Sequence, residues 1–303
     1  MMEPSTTSPE DPFAEIRPYS NLEAPAVMQR LTQDAELAET VARWRFPRLH
    51  AALPGVATFA GSIWLKVVAH RLATVEDLQN LIAPNLSRMI KRTSRFSVSG
   101  IDGLDLSLAR VYLSNHRDIV MDPAYVNYAL HRAGANTLAI AIGDNLLSKP
   151  WVADLMRLNK SFVVKRNVSG PRALLAATKL LSRYIRDSVG STRNPIWIAH
   201  REGRAKDGRD LTEPAVIKML ALSRARGEAP ERVLSELNIV PLVISYEVDP
   251  CDALKAAELA AGGEYVKAEF EDVSSIARGI TGEKGCVHLH FGCLLYTSDA
   301  ADE

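Results

Sequence analysis

After residue 93, short apolar runs alternate with longer segments of helical periodicity. Strands are expected at residues 96–99, 111–114, 137–142, 162–165, 196–199, 239–246 and 287–291, and helices at 123–132, 150–158, 171–186 and 214–226. This alternation is typical of an α/β domain whose sheet is largely parallel and buried on both faces. The fold class predicted is therefore α/β: a layered mixed, largely parallel sheet flanked by helices, with a helical N-terminal subdomain.

The 303 residues divide into four expected segments. Residues 1–19 are rich in Pro, Ser, Thr and acidic residues, a composition that predicts a disordered tail. They lack the basic-then-apolar order of a signal peptide. Residues 20–92 are expected to form the helical subdomain, and residues 93–292 the α/β domain. Residues 293–303 look like translated sequencing-adaptor read-through and are excluded from the fold prediction.

Within the N-terminal part, residues 49–65 carry no Lys, Arg, Asp or Glu. Pro54, Gly55 and Gly61 interrupt this apolar run and Lys66 follows it, so it falls short of a bilayer span. Two alternatives remain open at this point, a plain core helix and a helix attached to a membrane surface.

The candidate chemistry begins at the end of the strand 111–114, where Asn115, His116 and Arg117 follow the apolar run. Asp122 comes six residues after His116, immediately before Pro123 and a helical pattern. A carboxylate that fixes the tautomer of a histidine makes it a usable general base toward a hydroxyl. The structural alternative is that Asp122 is only the N-cap of the helix, with Pro123 at its first position.

Cations cluster after two later strands. The strand 196–199 is followed by a loop, residues 201–209, that contains two glycines and four basic residues, Arg201, Arg204, Lys206 and Arg209. Lys165 and Arg166 close the strand 162–165, at the end where open α/β sheets place their ligand crevice. Guanidinium groups bind phosphate oxygens in pairs, and glycines let backbone amides approach a ligand, so this composition favours a phosphate monoester. A solvated surface loop is the alternative.

These stretches, with Val240-Pro241 as a fourth block, resemble the glycerophospholipid acyltransferase family, which includes the glycerol-3-phosphate and 1-acylglycerol-3-phosphate acyltransferases. The first family block reads Asn-His-x-Ser-x-x-Asp, and its histidine, matched by His116, is taken as the base. The third reads Glu-Gly-x-Arg-Ser, or Gly-Gly-Arg-Ser-Arg-x-Gly-Arg. Its matches here are Glu202, Gly203, Arg204, Lys206, Gly208 and Arg209.

Two departures from the family pattern affect the site residues. Five residues separate His116 from Asp122, where the family has four, and Asp118 stands in place of the serine. Asp122 is the favoured partner, with Asp118 as the alternative. The third block lacks one residue between Gly203 and Arg204. The resemblance implies catalytic roles for His116, Asp122 and Asp118, and substrate binding by the group Asn115, Arg117, Lys165, Arg166, Glu202, Gly203, Arg204 and Lys206.

The activity implied is transfer of a fatty acyl group from a thioester, acyl-CoA or acyl carrier protein, to a hydroxyl of glycerol-3-phosphate or lysophosphatidate. No cofactor and no metal are expected, because the thioester is itself a substrate. Two alternatives are a lysolipid acceptor without a phosphate monoester and a catalytically silent lipid or acyl-carrier binding protein. Partners expected are the thioester donor, the phosphorylated acceptor and a membrane surface, and the location expected is cytoplasmic, peripheral on the cytoplasmic membrane face.

Charge and cysteine content narrow the remaining function classes. Residues 157–232 hold 17 Lys and Arg against 7 Asp and Glu, although the whole chain is neutral. Nucleic acid is the least favoured partner because aromatic residues make up only 6% and no binding module is recognisable. Three cysteines without a close pair predict a reducing compartment, and Cys286, His288 and His290 lack a fourth ligand for zinc.

Overall fold

The structure is a computed structural model that describes residues 11–147, 149–262, 265 and 271–293. The expectations of a disordered tail at residues 1–10 and of read-through sequence at residues 294–303 lie outside this part of the chain.

Within the described residues, a seven-stranded mixed sheet forms the centre of the α/β domain. Its strands are β1 (Arg95–Ser99), β2 (Val111–Ser114), β3 (Ala139–Gly143), β4 (Ser161–Val164), β5 (Ile196–Ala199), β6 (Val240–Tyr246) and β7 (Cys286–Phe291). They lie in the order β1-β7-β6-β2-β5-β3-β4. All neighbouring strands are parallel except β6 and β7. The prediction of a largely parallel sheet is confirmed.

Helices follow the strands and cover both faces of the sheet. They are α6 (Met121–Arg132), α7 (Pro150–Leu158), α8 (Pro171–Gly190), α9 (Pro214–Leu220), α10 (Pro230–Glu236), α11 (Asp252–Ala261) and α12 (Glu271–Thr281). Side chains of α8 pack with Val111, Leu113 and Ile196. Those of α6 pack with Tyr112 and Trp197. Because successive strand residues point to opposite faces, α6 and α8 lie on opposite sides of the sheet.

Four differences from the predicted helices are evident. Helix α8 extends to Gly190, four residues beyond the expected end. Helix α6 begins at Met121 and not at Pro123, and α9 ends at Leu220, where a short 3-10 turn, Ala221–Ser223, replaces the rest of the expected helix. Helices α10, α11 and α12 were not predicted. The first two are short and rich in polar residues and alanine, so their apolar periodicity is weak.

The N-terminal part is helical, as predicted, and among the described residues five helices precede the sheet: α1 (Ala24–Gln33), α2 (Ala35–Arg45), α3 (Pro47–Ala52), α4 (Pro54–Ala69) and α5 (Val75–Thr93). Helix α4 contains most of the uncharged run and packs closely on α2. A Cβ atom added at Gly61 would lie 2.6 Å from the carbonyl oxygen of Ala38, so only glycine permits this approach. Among the described residues, no helix is both long enough and apolar enough to cross a bilayer.

The prediction that the tail is disordered as far as residue 19 is wrong for residues 11–19, which pack against the α/β domain. Ile16 is only 2% exposed, and its carbonyl accepts a 2.8 Å hydrogen bond from the amide of Val163 at the edge of the sheet. The ring of Phe13 packs edge-on against Tyr184 at a centroid distance of 5.6 Å. Two apolar side chains thus hold this segment, although its average composition is polar.

The topology brings the candidate chemistry to one edge of the sheet. Strands β6, β2, β5, β3 and β4 are parallel, so their carboxyl ends lie side by side. His116 follows β2, the 201–209 loop follows β5, and Lys165 and Arg166 follow β4. The edge at which open α/β sheets bind ligands therefore carries the predicted site segments.

Candidate functional site

His116 and Asp122 form a direct pair between the end of β2 and the first turn of α6. The Nδ1 atom of His116 lies 2.9 Å from Oδ2 of Asp122. The carboxylate is fully buried, whereas the imidazole side chain is 14% exposed. An ionised carboxylate can only accept, so Nδ1 carries the proton and donates it, which leaves a lone pair on Nε2. No hydrogen bond to Nε2 occurs within the described residues.

Three further donors hold the Asp122 carboxylate. The backbone amides of Arg117 and Asp118 donate to Oδ2 at 2.6 and 2.9 Å. The phenol of Tyr246 donates to Oδ1 at 2.7 Å. Burial, followed by the charges of Asp122 and Asp118, raises the pKa of Tyr246 well above its ordinary value, so the phenol keeps its proton. A buried charge with this many donors is fixed in position and in turn fixes the imidazole.

Asp118, the alternative partner of His116, serves the helix instead. Its Oδ1 atom accepts the amides of Val120 and Met121 at 3.0 and 2.8 Å, which are free donors at the start of α6. Burial, with the charge of Asp122, raises the pKa of Asp118. The reading of Asp122 as the N-cap is wrong, because it lies inside the first turn and accepts from residues that precede the helix.

Asn115 and Arg117, both predicted to bind substrate, are engaged by protein groups. The amide of Asn115 exchanges two hydrogen bonds with the backbone of Ile244, at 3.0 and 2.8 Å, and thereby joins β2 to β6 beyond their ladder. Both side chains also contact Asp210, at 3.0 Å from Asn115 and 2.6 Å from Arg117. They tie the loop after β5 to the corner that holds His116.

Lys165 and Arg166 diverge, although they are neighbours in sequence. Lys165 forms an ion pair with Glu15 in the N-terminal segment. Arg166 turns the other way, so that its Nε atom would lie 3.0 Å from a Cβ added at Gly143, at the end of β3. Its guanidinium pairs with Glu202 after β5 at 3.2 Å. Because adjacent residues in an extended chain point in opposite directions, only Arg166 reaches toward the strand beside β2.

The 201–209 loop lies directly against the histidine. The amide of Ala205 donates to the carbonyl of His116 at 2.7 Å, and Gly203 occupies the left-handed backbone region at φ +70°. Arg204 is half-buried and contacts Ser275 of α12 at 3.4 Å. Its Nη1 atom is buried and has no hydrogen-bond partner among the described residues. Lys206 instead forms an ion pair with Glu258 of α11.

Residues 95–245 match the sequence model of the acyltransferase family. This chain belongs to the acyltransferase family. The resemblance to the glycerophospholipid acyltransferases inferred from the sequence motifs is confirmed. The matched stretch begins at β1 and ends within β6, so it contains the His116 corner and both cationic segments.

The other comparisons are sparse. No curated protein matches the chain. Among solved structures, it is similar to the 1-acyl-sn-glycerophosphate (LPA) acyltransferase PlsC from Thermotoga maritima, at 14% identity. That superposition covers 93% of this chain and 89% of the other, with a TM-score of 0.39. The family assignment therefore rests on the domain match.

Several residues at the His116 corner were not predicted as site residues. Tyr246 holds Asp122, and the ammonium of the buried Lys255 on α11 donates to the carbonyl of Arg117 at 2.7 Å. Trp197 presents its ring edge-on to His116 at 5.5 Å. Tyr246 ends the strand β6, and the carboxyl ends of parallel strands are where ligand sites occur, so its position in the sequence could have indicated a site residue. Lys255 lies 138 residues from its partner, and nothing local in the sequence links the two.

His200, the residue after β5, is a second buried histidine beside this corner. Its Nδ1 atom lies 3.2 Å from the hydroxyl of Thr212, and burial lowers its pKa, with Arg201 and His116 adding to the effect. The ring is therefore neutral near pH 7. By the alternation of β5, the side chain of His200 faces away from that of Trp197, whose ring lies against His116.

Cys286, His288 and His290 lie on one face of β7, as the alternation predicted. Both nitrogens of His288 contact serine hydroxyls of β1, Ser97 at 2.8 Å and Ser99 at 2.9 Å. Within the described ranges, no group of three His, Cys, Asp or Glu side chains has an arrangement suited to a metal ion.

Tyr246→Phe tests whether the phenol acts through Asp122. Removing a hydrogen bond to a charged acceptor is worth about 1.5–3 kcal/mol, so we expect a fall of roughly 10-fold or more in kcat with little change in either substrate KM. Steady-state acyl transfer kinetics measure this.

Tyr125→Phe is the matched control, because that buried phenol donates to Ser94 and its ring packs against Tyr246 at 6.0 Å. Equal losses of kcat in the two variants, or a change confined to KM in Tyr246→Phe, would contradict the role assigned to Tyr246.

Proposed function

We propose that this acyltransferase moves a fatty acyl group from a thioester to a hydroxyl of glycerol-3-phosphate or lysophosphatidate, in phospholipid synthesis. The donor is acyl-CoA or an acylated carrier protein, and the reaction uses no resident cofactor. The observation that carries the proposal is the 2.9 Å contact between His116 and the buried Asp122, within the segment that matches the acyltransferase family.

The chemistry follows from the tautomer of His116. Its Nε2 atom takes the proton of the acceptor hydroxyl as the oxygen attacks the thioester carbonyl carbon. The charged Asp122 stabilises the imidazolium that forms. The tetrahedral intermediate then breaks its carbon–sulfur bond, and His116 returns the proton to the departing thiolate. One ester forms, one thioester is lost, and the histidine ends in its starting state.

Arg204 and Arg166 are the cations proposed to hold the acceptor phosphate. Arg204 has a buried Nη1 donor without a partner in the described chain, and it precedes Ala205, whose amide donates to the carbonyl of His116. Arg166 extends over Gly143 toward the same loop. Guanidinium forks bind phosphate oxygens in pairs. Lys165 and Lys206 contribute less in this proposal, because Glu15 and Glu258 neutralise them.

Glu202 has a positioning role in the same proposal. Its carboxylate lies 3.2 Å from Arg166 and is largely exposed. It holds that guanidinium near the loop until a phosphate competes for it. Gly203 supports the arrangement because its positive φ turns the chain between Glu202 and Arg204.

An assay of thioester-dependent acylation of lysophosphatidate, read as released thiol and as product lipid, tests the proposal. We expect His116→Ala to lower kcat by about 100-fold or more, which is the contribution of a general base. We expect Arg204→Ala to raise the acceptor KM by roughly 10-fold or more, because charge-assisted hydrogen bonds to the phosphate are lost.

His131→Ala and Arg132→Ala, at two exposed positions at the end of α6, are matched controls that should leave both constants near wild type. Full activity of His116→Ala would rule out this base. An unchanged acceptor KM in Arg204→Ala would favour a lysolipid without a phosphate monoester. No thiol release above background by the wild-type protein would favour a silent binding protein.

We also propose that the enzyme works on a membrane surface, through the outer face of α4, as a peripheral protein of the cytoplasmic face. Four apolar side chains at helical spacing are exposed there: Val56, Phe59, Ile63 and Val67. Arg43, Arg45 and Arg48 precede the helix and are exposed. An apolar face bordered by cations is typical of helices that lie in the headgroup region of anionic membranes.

Co-sedimentation with vesicles containing phosphatidylglycerol tests this surface. The double variant Phe59→Asp/Ile63→Asp should bind at least about tenfold more weakly than wild type, because each apolar side chain is worth roughly 1.5–3 kcal/mol when buried. Leu259→Asp is the matched control, since Leu259 on α11 is 50% exposed and lies outside the proposed face. Equal binding by the double variant and wild type would exclude α4 as the contact.

A further inference from the structure

We propose that the outer face of α8 is a docking surface for an acidic carrier protein that delivers the acyl thioester. We name it the α8 basic surface and define it by Arg172, Leu175 and Lys179 on the helix together with Arg224 and Arg226 in the loop after α9. The inference rests on the proposed function, because it assumes a thioester donor, and it selects a protein-bound donor over free acyl-CoA.

The four cations of the α8 basic surface are exposed and unneutralised. None of them forms an ion pair or a side-chain hydrogen bond with the described residues. The neighbouring carboxylate of Glu228 is taken by Arg186, at 2.8 Å, and by the amide of Ala225. Uncompensated charge of one sign on one surface attracts a partner of the opposite sign and speeds its association.

Apolar side chains lie among these cations. Leu174 and Leu175 are 46% and 48% exposed. Leu175, Lys179 and Leu222 border a groove of about 680 Å³ between α8 and the 222–228 loop. A small anion needs only the cations, whereas exposed leucines beside them match an amphipathic helix with acidic and apolar residues. The surface therefore fits an acidic protein better than a free nucleotide phosphate.

The position of α8 also favours a carrier over a membrane. Helix α6 connects β2 to β3 and α7 connects β3 to β4, so both connections run toward the β4 edge of the sheet. Helix α8 connects β4 back to β5 in the reverse direction. Because crossovers between parallel strands are right-handed, α8 lies on the opposite face of the sheet from α6 and α7. The N-terminal helices pack on α7 through Trp151 and Leu155. The exposed apolar face of α4 and the α8 basic surface thus belong to opposite layers. A protein on α8 leaves the proposed membrane contact free.

Helix α8 begins at the catalytic edge of the sheet. Pro171 follows Arg166 by five residues, and Arg166 pairs with Glu202 beside the His116 loop. Arg172 and Lys179 lie in the first three turns, so a carrier seated there has the edge of the sheet within reach of a flexible prosthetic arm. The acyl chain enters from the carrier while the acceptor phosphate is held by Arg204 and Arg166.

Initial rates with the same acyl chain on acyl carrier protein and on CoA test the proposal. We expect Lys179→Glu/Arg226→Glu to raise KM for the carrier-bound donor by about tenfold or more, since like charges then face the acidic partner. The salt dependence of kcat/KM for that donor should weaken as well. The kcat/KM for acyl-CoA should stay within about twofold of wild type, because CoA does not use this surface.

Lys91→Glu/Arg193→Glu is the matched control, with the same change of charge at two exposed positions of α5 and of the loop after α8. It should leave both donors unaffected. Equal losses for the two donors in Lys179→Glu/Arg226→Glu, or no loss with either, would overturn the docking surface while the proposed acyl transfer stands. No transfer from either donor by the wild-type protein would instead refute the proposed function.

Discussion

The buried carboxylate of Asp122 is the interaction on which the site depends. A fully buried charge is strongly unfavourable unless it is hydrogen-bonded, and Asp122 meets this requirement with donors from the loop after β2, from β6 and from the His116 ring. The fold must therefore bring β2, α6 and β6 together before the charge can be accommodated. The same contacts leave Nε2 of the histidine as its open nitrogen, which links the packing of the sheet to the chemistry of one atom.

The two sides of the site differ in how they are built. The histidine side is rigid, since Asn115 joins β2 to β6 and Lys255 holds the carbonyl of Arg117. The side proposed to hold the acceptor phosphate consists of guanidinium groups with replaceable partners, Glu202 for Arg166 and Ser275 for Arg204. A fixed base and exchangeable cations suit a reaction in which the hydroxyl must be aligned with a carbonyl, because alignment supplies a large part of the rate.

Local sequence was sufficient where burial decides the conformation. The strands at 111–114 and 196–199 have the predicted bounds, because apolar runs buried on both faces of a sheet leave little choice of structure. The helix at 150–158 also has the predicted bounds, because Pro150 marks its first turn. Residues 11–19 were predicted from average composition, and two apolar side chains reversed the outcome. The His116 corner was predictable because both partners lie within seven residues.

Long-range contacts could not be predicted from one sequence. Tyr246 reaches Asp122 across 124 residues, and the divergence of Lys165 and Arg166 depends on the strand phase and on the space above Gly143. The comparison of Asp118 with Asp122 also required the observed start of α6, because both aspartates are close enough in sequence to His116. In the structure, Asp118 accepts the free amides of Val120 and Met121 at the start of α6, which leaves Asp122 as the partner of His116.

We propose that Asp122, and not Asp118, activates His116. The most direct test is the kcat of Asp122→Asn against that of Asp118→Asn in the acylation assay. An asparagine at position 118 still caps α6 through its side-chain oxygen, so kcat should fall by no more than about threefold. An asparagine at position 122 loses the charge that holds the imidazolium, and kcat should fall by about 100-fold or more. The reverse order of the two losses would assign the activating role to Asp118.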